Sequence, residues 1–176
     1  MSLNSTDQSY GSVARALHWS IAILIVLQIA SGFSAGVLLP KAVAFGFHKP
    51  TGLVVLVLTV ARLAWMLVDS ARPGDAGLTW EKWPSRAVKW GLLVFSVALP
   101  ISGWLGSSAG DHPISMYGLY TVPMLMAPDK ALAHDIGEVH ETLGALISLA
   151  LAVHIAGALR HHYILKDNIL TRMLGR

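Results

Sequence analysis

The 176-residue sequence contains no cysteine and few charged residues. The lack of cysteine excludes disulfide bridges, thiolate-bound iron–sulfur clusters, CxxC redox motifs and covalent CxxCH haem attachment, but it leaves a histidine-held cofactor open. Charged side chains make up 13% of the chain and hydrophobic residues 54%, whereas soluble domains carry about 25% charged residues. This composition excludes an ordinary soluble globule and indicates a membrane protein with one domain, residues 1–176.

Four long apolar runs dominate the sequence, and each is long enough to cross a bilayer, which takes about 20 helical residues. We predict helices at about 15–38, 48–69, 87–108 and 135–162, which gives an all-α bundle of four transmembrane helices. The runs lack the alternation of polar and apolar residues that is typical of barrel strands. The opening residues are polar and carry no basic segment, so we interpret the first run as an uncleaved span rather than a signal peptide.

Basic residues are distributed unevenly between the two sides of this predicted bundle. Of the 13 Lys and Arg residues, only Lys41, Lys49 and Lys130 fall on the side away from the termini; the others, Arg72 among them, share the side of the termini. Because cytoplasmic loops are enriched in Lys and Arg, we expect both termini in the cytoplasm. The net charge of +3 therefore reflects membrane topology, and we predict no binding to nucleic acid.

The chain has eight histidines, and four of them fall at two depths of the predicted bundle. His140 and His154 lie on nearly one face of the last helix, separated by about 21 Å along its axis. His18 matches the inner depth and His48 the outer depth. The pattern therefore predicts two pairs, His18 with His154 and His48 with His140, each holding one planar haem b between two helices by bis-histidine ligation. The alternative is that these side chains form hydrogen bonds between helices.

Small residues follow these histidines at helical spacing. Gly52 comes four residues after His48 and Gly144 four residues after His140, so we predict that both glycines contact the cofactor. The alternative is that small residues let membrane helices pack closely. A zinc or copper site would need three or four ligands that converge on one point, which two separate levels do not provide.

Basic side chains lie near the predicted pairs. Arg62 returns to the inward face of its helix at the inner depth, where it is predicted to pair with a haem propionate; the alternative is that it extends to the headgroups. Lys49 is assigned the propionate role at the outer depth.

A cluster at the exit of the last run is predicted to bind quinone or to transfer its protons, with an interfacial helix cap as the alternative. The members of that cluster are His161, His162 and Lys166.

The sequence also carries a series of recognisable motifs. They are R-A-L-H-W around His18, H-K-P-T-G from His48, A-R-L-A-W from Ala61, A-L-P-I-S-G-W from Ala98, H-E-T-L-G from His140 and H-I-A-G-A-L-R-H-H-Y-I-L-K-D-N-I-L-T-R-M from His154. Their order and spacing resemble the bacterial dihaem cytochrome b561 family from about Arg15 to Met173.

The resemblance implies two b-type haems on histidines that match the four named above. It also implies residence in the bacterial inner membrane, electron exchange with quinone and, in some members, oxidation of superoxide at the periplasmic face. Members often carry a further histidine at the start of the third span, where this chain has Lys89 and Trp90.

These observations together predict transmembrane electron transfer, by an oxidoreductase or an electron carrier, between ubiquinone or a similar quinone and a periplasmic donor such as superoxide. Lys41, Lys49 and Lys130 would attract such an anion, with a solvated loop surface as the alternative. One rival function is a cytochrome b membrane anchor that passes electrons from a partner dehydrogenase or hydrogenase to quinone. Another is a haem-free transporter or structural bundle.

Overall fold

Four long helices make up most of the structure, a computed structural model that describes residues 2–69, 71 and 82–175. They are α1 (Ser12–Ser34), α2 (Lys41–Val68), α3 (Lys82–Ala109) and α4 (Lys130–Arg160). The shorter elements are β1 (Ile114–Ser115), β2 (Thr121–Val122), a π-helical turn (His161–Leu165) and α5 (Ile169–Leu174). All four long helices are apolar and long enough to span a membrane, which confirms the predicted all-α, four-span membrane bundle. The predicted position of Arg72 on the side of the termini lies outside the described residues.

The helix ends differ from the predicted spans. α1 ends at Ser34 rather than at 38, because the chain turns at Gly36, whose φ of 76° is readily adopted only by glycine. α2 begins at Lys41 rather than at 48, directly after Pro40. α4 begins at Lys130 rather than at 135, because the side chain of Asp129 caps its first backbone N–H groups.

A small antiparallel hairpin closes one end of the bundle. Ile114 pairs with Val122 across β1 and β2, and both side chains are buried. The hairpin is tied to α2 by a hydrogen bond of 2.7 Å between the hydroxyls of Thr51 and Tyr117. The loop between α3 and α4 is therefore a folded cover over this end rather than a free segment.

At the opposite end, the N-terminal segment contacts the residue that follows α2, and α1 contacts α5. The backbone N–H and the hydroxyl of Ser5 donate to the carboxylate of Asp69, at 2.9 and 2.6 Å. The indole of Trp19 donates to the carbonyl of Met173 at 3.0 Å. The helices thus run alternately up and down, and both termini lie at one end.

The helices do not pack equally closely. α1 packs on α2, α2 on α3 and α3 on α4, whereas within the described residues α4 approaches α1 and α2 less closely. The shared core consists of buried aliphatic side chains in the middle of three helices, namely Ile21, Ile25, Val55 and Ile147. Large apolar residues on the outer faces are exposed, as expected of side chains that contact lipid.

Candidate cofactor-binding site

The structure brings the four histidines together in the two predicted pairs. The ring centroids of His18 in α1 and His154 in α4 are 6.4 Å apart, and those of His48 in α2 and His140 in α4 are 6.1 Å apart. Two imidazoles bound to opposite sides of one metal ion through nitrogens at about 2.0–2.1 Å have centroids roughly 6–6.5 Å apart. Both separations therefore fit a metal ion held between the rings.

Each pair spans a wide gap between helices. The paired histidines face each other across α1–α4 and α2–α4, the helix pairs that pack less closely within the described residues. On α4, a Cβ atom added at Gly144 or Gly157 would have no neighbour within 4 Å, and at Gly52 of α2 it would meet only the Gln28 amide at 4.0 Å. The backbone near the histidines thus leaves room for a flat macrocycle, which fits the predicted contacts of Gly52 and Gly144.

Hydrogen bonds hold both rings of the outer pair. The hydroxyl of Ser31 in α1 lies 3.0 Å from Nδ1 of His48, and that of Ser102 in α3 lies 2.9 Å from Nδ1 of His140. Each hydroxyl also donates to a carbonyl one turn earlier in its own helix, at 3.0 and 2.9 Å. Sequence reasoning missed both serines, although each stands in a Ser-Gly dipeptide within an apolar run.

The inner pair has a different polar neighbour. Arg62 reaches the inner depth as predicted from its spacing, and its Nη1 lies 2.9 Å from Nδ1 of His18. One turn earlier in α2, the hydroxyl of Thr59 is fully buried and has no hydrogen-bond partner among the described residues. Buried polar groups are normally paired, so this side of α2 has unused hydrogen-bonding capacity near the inner pair.

Lys49 occupies a cleft beneath the hairpin at the outer end. Its ammonium donates to the hydroxyl of Ser107 in α3 at 2.8 Å. The cleft has a volume of about 430 Å³ and is also lined by Phe45, Pro113 and Tyr117. Lys49 therefore links α2 to α3 next to His48. Its positive charge also lines the cleft, which is large enough for a small anion.

The three members of the predicted C-terminal cluster have different surroundings in the structure. His161 lies in the π-helical turn, and its Nδ1 is 2.5 Å from Oδ2 of Asp167, with both side chains mostly buried. His162 stacks edge-on against Tyr163, and Lys166 adopts the left-handed conformation that ends the turn. Sequence reasoning missed Asp167. π-Helical turns are rare and are frequently found at functional sites.

No group of three or more His, Asp and Glu side chains suited to a metal ion occurs within residues 2–69, 71 and 82–175. His134 and Glu138, one turn apart in α4, lie 3.5 Å from each other and are strongly exposed. The paired histidines of these residues suit a cofactor that brings further metal ligands of its own, as haem does.

Comparison with known proteins gives one matching family model and several similar proteins. The family model described as Prokaryotic cytochrome b561 matches residues 9–176. The chain is 32% identical over 185 residues to cytochrome b561 homolog 2 of Escherichia coli strain K12, covering 100% of this chain and 96% of that protein. It is 25% identical over 180 residues to the probable superoxide oxidase CybB of Yersinia pestis, covering 96% and 97%. It is 27% identical over 187 residues to cytochrome b562 of Cereibacter sphaeroides, covering 96% of each.

Proposed function

Because this chain belongs to the prokaryotic cytochrome b561 family, we propose that it carries electrons between a periplasmic donor and membrane quinone through two haem b groups. The family binds b-type haem and transfers electrons across the membrane, and the four spans make the chain a multi-pass protein of the bacterial inner membrane. The number of haems, their ligands and the two redox partners are our proposal. We also place both termini in the cytoplasm, from the distribution of Lys and Arg.

The two histidine pairs carry this proposal. His18 and His154 would hold one haem at the cytoplasmic level, and His48 and His140 the other at the periplasmic level; their centroid separations of 6.4 and 6.1 Å support both assignments. When bound, a bis-histidine haem supplies an iron that alternates between the ferric and ferrous states. The observed ring separations support an iron ion held between the two rings of each pair.

Arg62 serves the inner haem in our proposal, and its present contact with His18 changes when the haem binds. An imidazole that ligates iron through Nε2 carries its proton on Nδ1. A guanidinium only donates hydrogen bonds, so the contact between Arg62 and Nδ1 of His18 cannot coexist with that ligation. Arg62 would therefore turn to a propionate of the same haem. At the outer level, Lys49 is placed to take the corresponding role.

We assign the two ends of the electron path to different substrates. At the cytoplasmic end, His161, His162 and Lys166 would bind ubiquinone or a similar quinone, which takes up two electrons and two protons to become quinol. At the periplasmic end, the cleft of Lys49, with Lys41 and Lys130 on the same side, would attract an anion. Superoxide fits this end, since each superoxide gives up one electron and leaves as dioxygen, and a relative at 25% identity is named a probable superoxide oxidase.

Haem stoichiometry in two single variants tests the ligand assignment. We expect the purified protein to show reduced b-type bands with two haems per chain. His140→Ala should lose the outer haem and His154→Ala the inner one, identified by their separate midpoints in a redox titration. His134→Ala is the matched control, because this histidine of the same helix is exposed. Loss of the same haem in both variants, or a colourless wild-type protein, would refute the proposal.

The redox partners are tested by mixing the protein with each candidate separately. We expect superoxide to reduce the haems and added quinone to reoxidise them, each without another protein. If reduction instead requires a copurified dehydrogenase or hydrogenase subunit, the chain is an anchor subunit and the superoxide assignment is wrong.

A further inference from the structure

We propose that two Ser-Gly dipeptides, Ser31-Gly32 in α1 and Ser102-Gly103 in α3, position the outer histidines for iron by fixing both their orientation and their tautomer. This inference rests on the proposed function, because it assumes that His48 and His140 bind a haem. It assigns a positioning role to four residues that do not bind the metal themselves.

The glycines let each imidazole lie directly against a neighbouring helix. A Cβ atom added at Gly32 would lie 3.3 Å from Cε1 of His48, and one added at Gly103 would lie 3.1 Å from Cε1 of His140. Both distances are shorter than ordinary carbon–carbon contacts, which lie at about 3.5–4.0 Å. A side chain at either position would therefore push the ring toward the cofactor gap.

The serines determine which ring nitrogen carries the proton. A serine hydroxyl has one proton to donate. In Ser31 that proton goes to the carbonyl of Gln28 at 3.0 Å, and in Ser102 it goes to the carbonyl of Leu99 at 2.9 Å. We assign the hydroxyl protons to these carbonyls, which can only accept; each hydroxyl then accepts from Nδ1 of its histidine, and the ring proton lies on Nδ1.

This tautomer is the one that ligation requires. With the proton on Nδ1, the lone pair of Nε2 is available to a metal ion, and a hydrogen bond donated from Nδ1 raises the basicity of the ligand. The same arrangement occurs on both sides of the outer gap, from two different helices. At the inner level, Nδ1 of His18 instead lies beside the donor Arg62, so His18 does not share this arrangement.

Serine-to-alanine variants test the hydroxyls. Removing such a partner typically weakens metal binding about 10–100-fold. Ser31→Ala and Ser102→Ala should therefore each lower the affinity for the outer haem by about that factor in a haem titration. Because a less basic ligand stabilises ferric iron less, the midpoint of the outer haem should rise. Its low-spin EPR signal should also shift, since that signal depends on the orientation of the two rings. The inner haem should keep its midpoint and signal.

Two further variants separate positioning from general damage. Ser96→Ala is the matched control, because Ser96 is a buried serine of α3 that donates to a carbonyl of its own helix at 2.6 Å and is not bonded to any of the described histidines. Ser102→Thr keeps the hydroxyl and should restore the midpoint and signal of the outer haem. If either alanine variant fails to assemble, the other provides the same measurement from a different helix.

The outcomes distinguish this inference from the proposed function. If the wild-type protein binds two haems but both alanine variants behave like Ser96→Ala, or if the inner haem shifts instead of the outer one, the Ser-Gly inference is overturned and the proposed function stands. A wild-type protein without haem would overturn both.

Discussion

The charge of Arg62 provides a quantitative test of the inner haem site. We predict that Arg62→Gln lowers the midpoint potential of the inner haem and leaves that of the outer haem nearly unchanged. Reduction adds an electron to the iron, and a nearby positive charge stabilises the reduced form. Removal of that charge therefore makes reduction less favourable.

The position of Arg62 beside His18 sets the scale of the effect, although its hydrogen bond to Nδ1 is replaced by one to a propionate when the haem binds. Nη1 of Arg62 is 2.9 Å from Nδ1 of His18, and an iron ligated by the other ring nitrogen would lie about 4 Å beyond Nδ1. A unit charge at a combined distance of roughly 7 Å interacts with the added electron by about 2 kcal/mol at an effective dielectric constant near 20. For a one-electron couple this is about 100 mV. Pairing with a propionate would screen part of it, so the expected decrease lies between some tens of millivolts and about 100 mV.

A redox titration followed by the reduced b-type absorption measures both midpoints in one experiment. Arg62→Lys is the control that keeps the charge, and its inner midpoint should stay close to that of the wild type. Lys49→Gln is the control for position, because Lys49 lies at the other level and should change only the outer midpoint. An inner midpoint that does not move in Arg62→Gln, or a decrease confined to the outer haem, would refute the placement of this charge.

Two other predictions address the middle and the cytoplasmic end of the bundle. Ile147 is 3% exposed, so Ile147→Ala should lower the stability by about 2–5 kcal/mol, measured as a lower unfolding midpoint in detergent; unchanged stability would contradict its place in the core. Asp167→Asn keeps an oxygen near Nδ1 of His161 but removes the negative charge, so it should slow quinone-dependent reoxidation severalfold with unaltered haem spectra. A normal reoxidation rate would show that this pair has no part in quinone chemistry.

The spans and the histidine levels were predictable because helix geometry connects sequence spacing to depth and direction within one helix. Contacts between helices were not predictable in this way. Ser31 and Ser102 reach histidines of neighbouring helices, and the rotation of one helix against another depends on packing that the spacing does not encode. The immediate partner of Arg62, His18, lies on another helix for the same reason. The early start of α4 was signalled by Asp129, a capping residue that the apolar pattern alone overlooks.

In the proposed arrangement, the helices that carry the four histidines determine how movement at one haem site affects the other. α4 provides one histidine to each pair, whereas the opposite ligands come from α1 and α2 separately. Ile147 lies midway between His140 and His154 in α4 and packs in the core against Ile25 and Val55. A rigid helix transmits any tilt or rotation along its whole length, so a disturbance of α4 at this central layer moves a ligand at both levels. A disturbance confined to α1 or α2 near its own histidine moves a ligand at one level only.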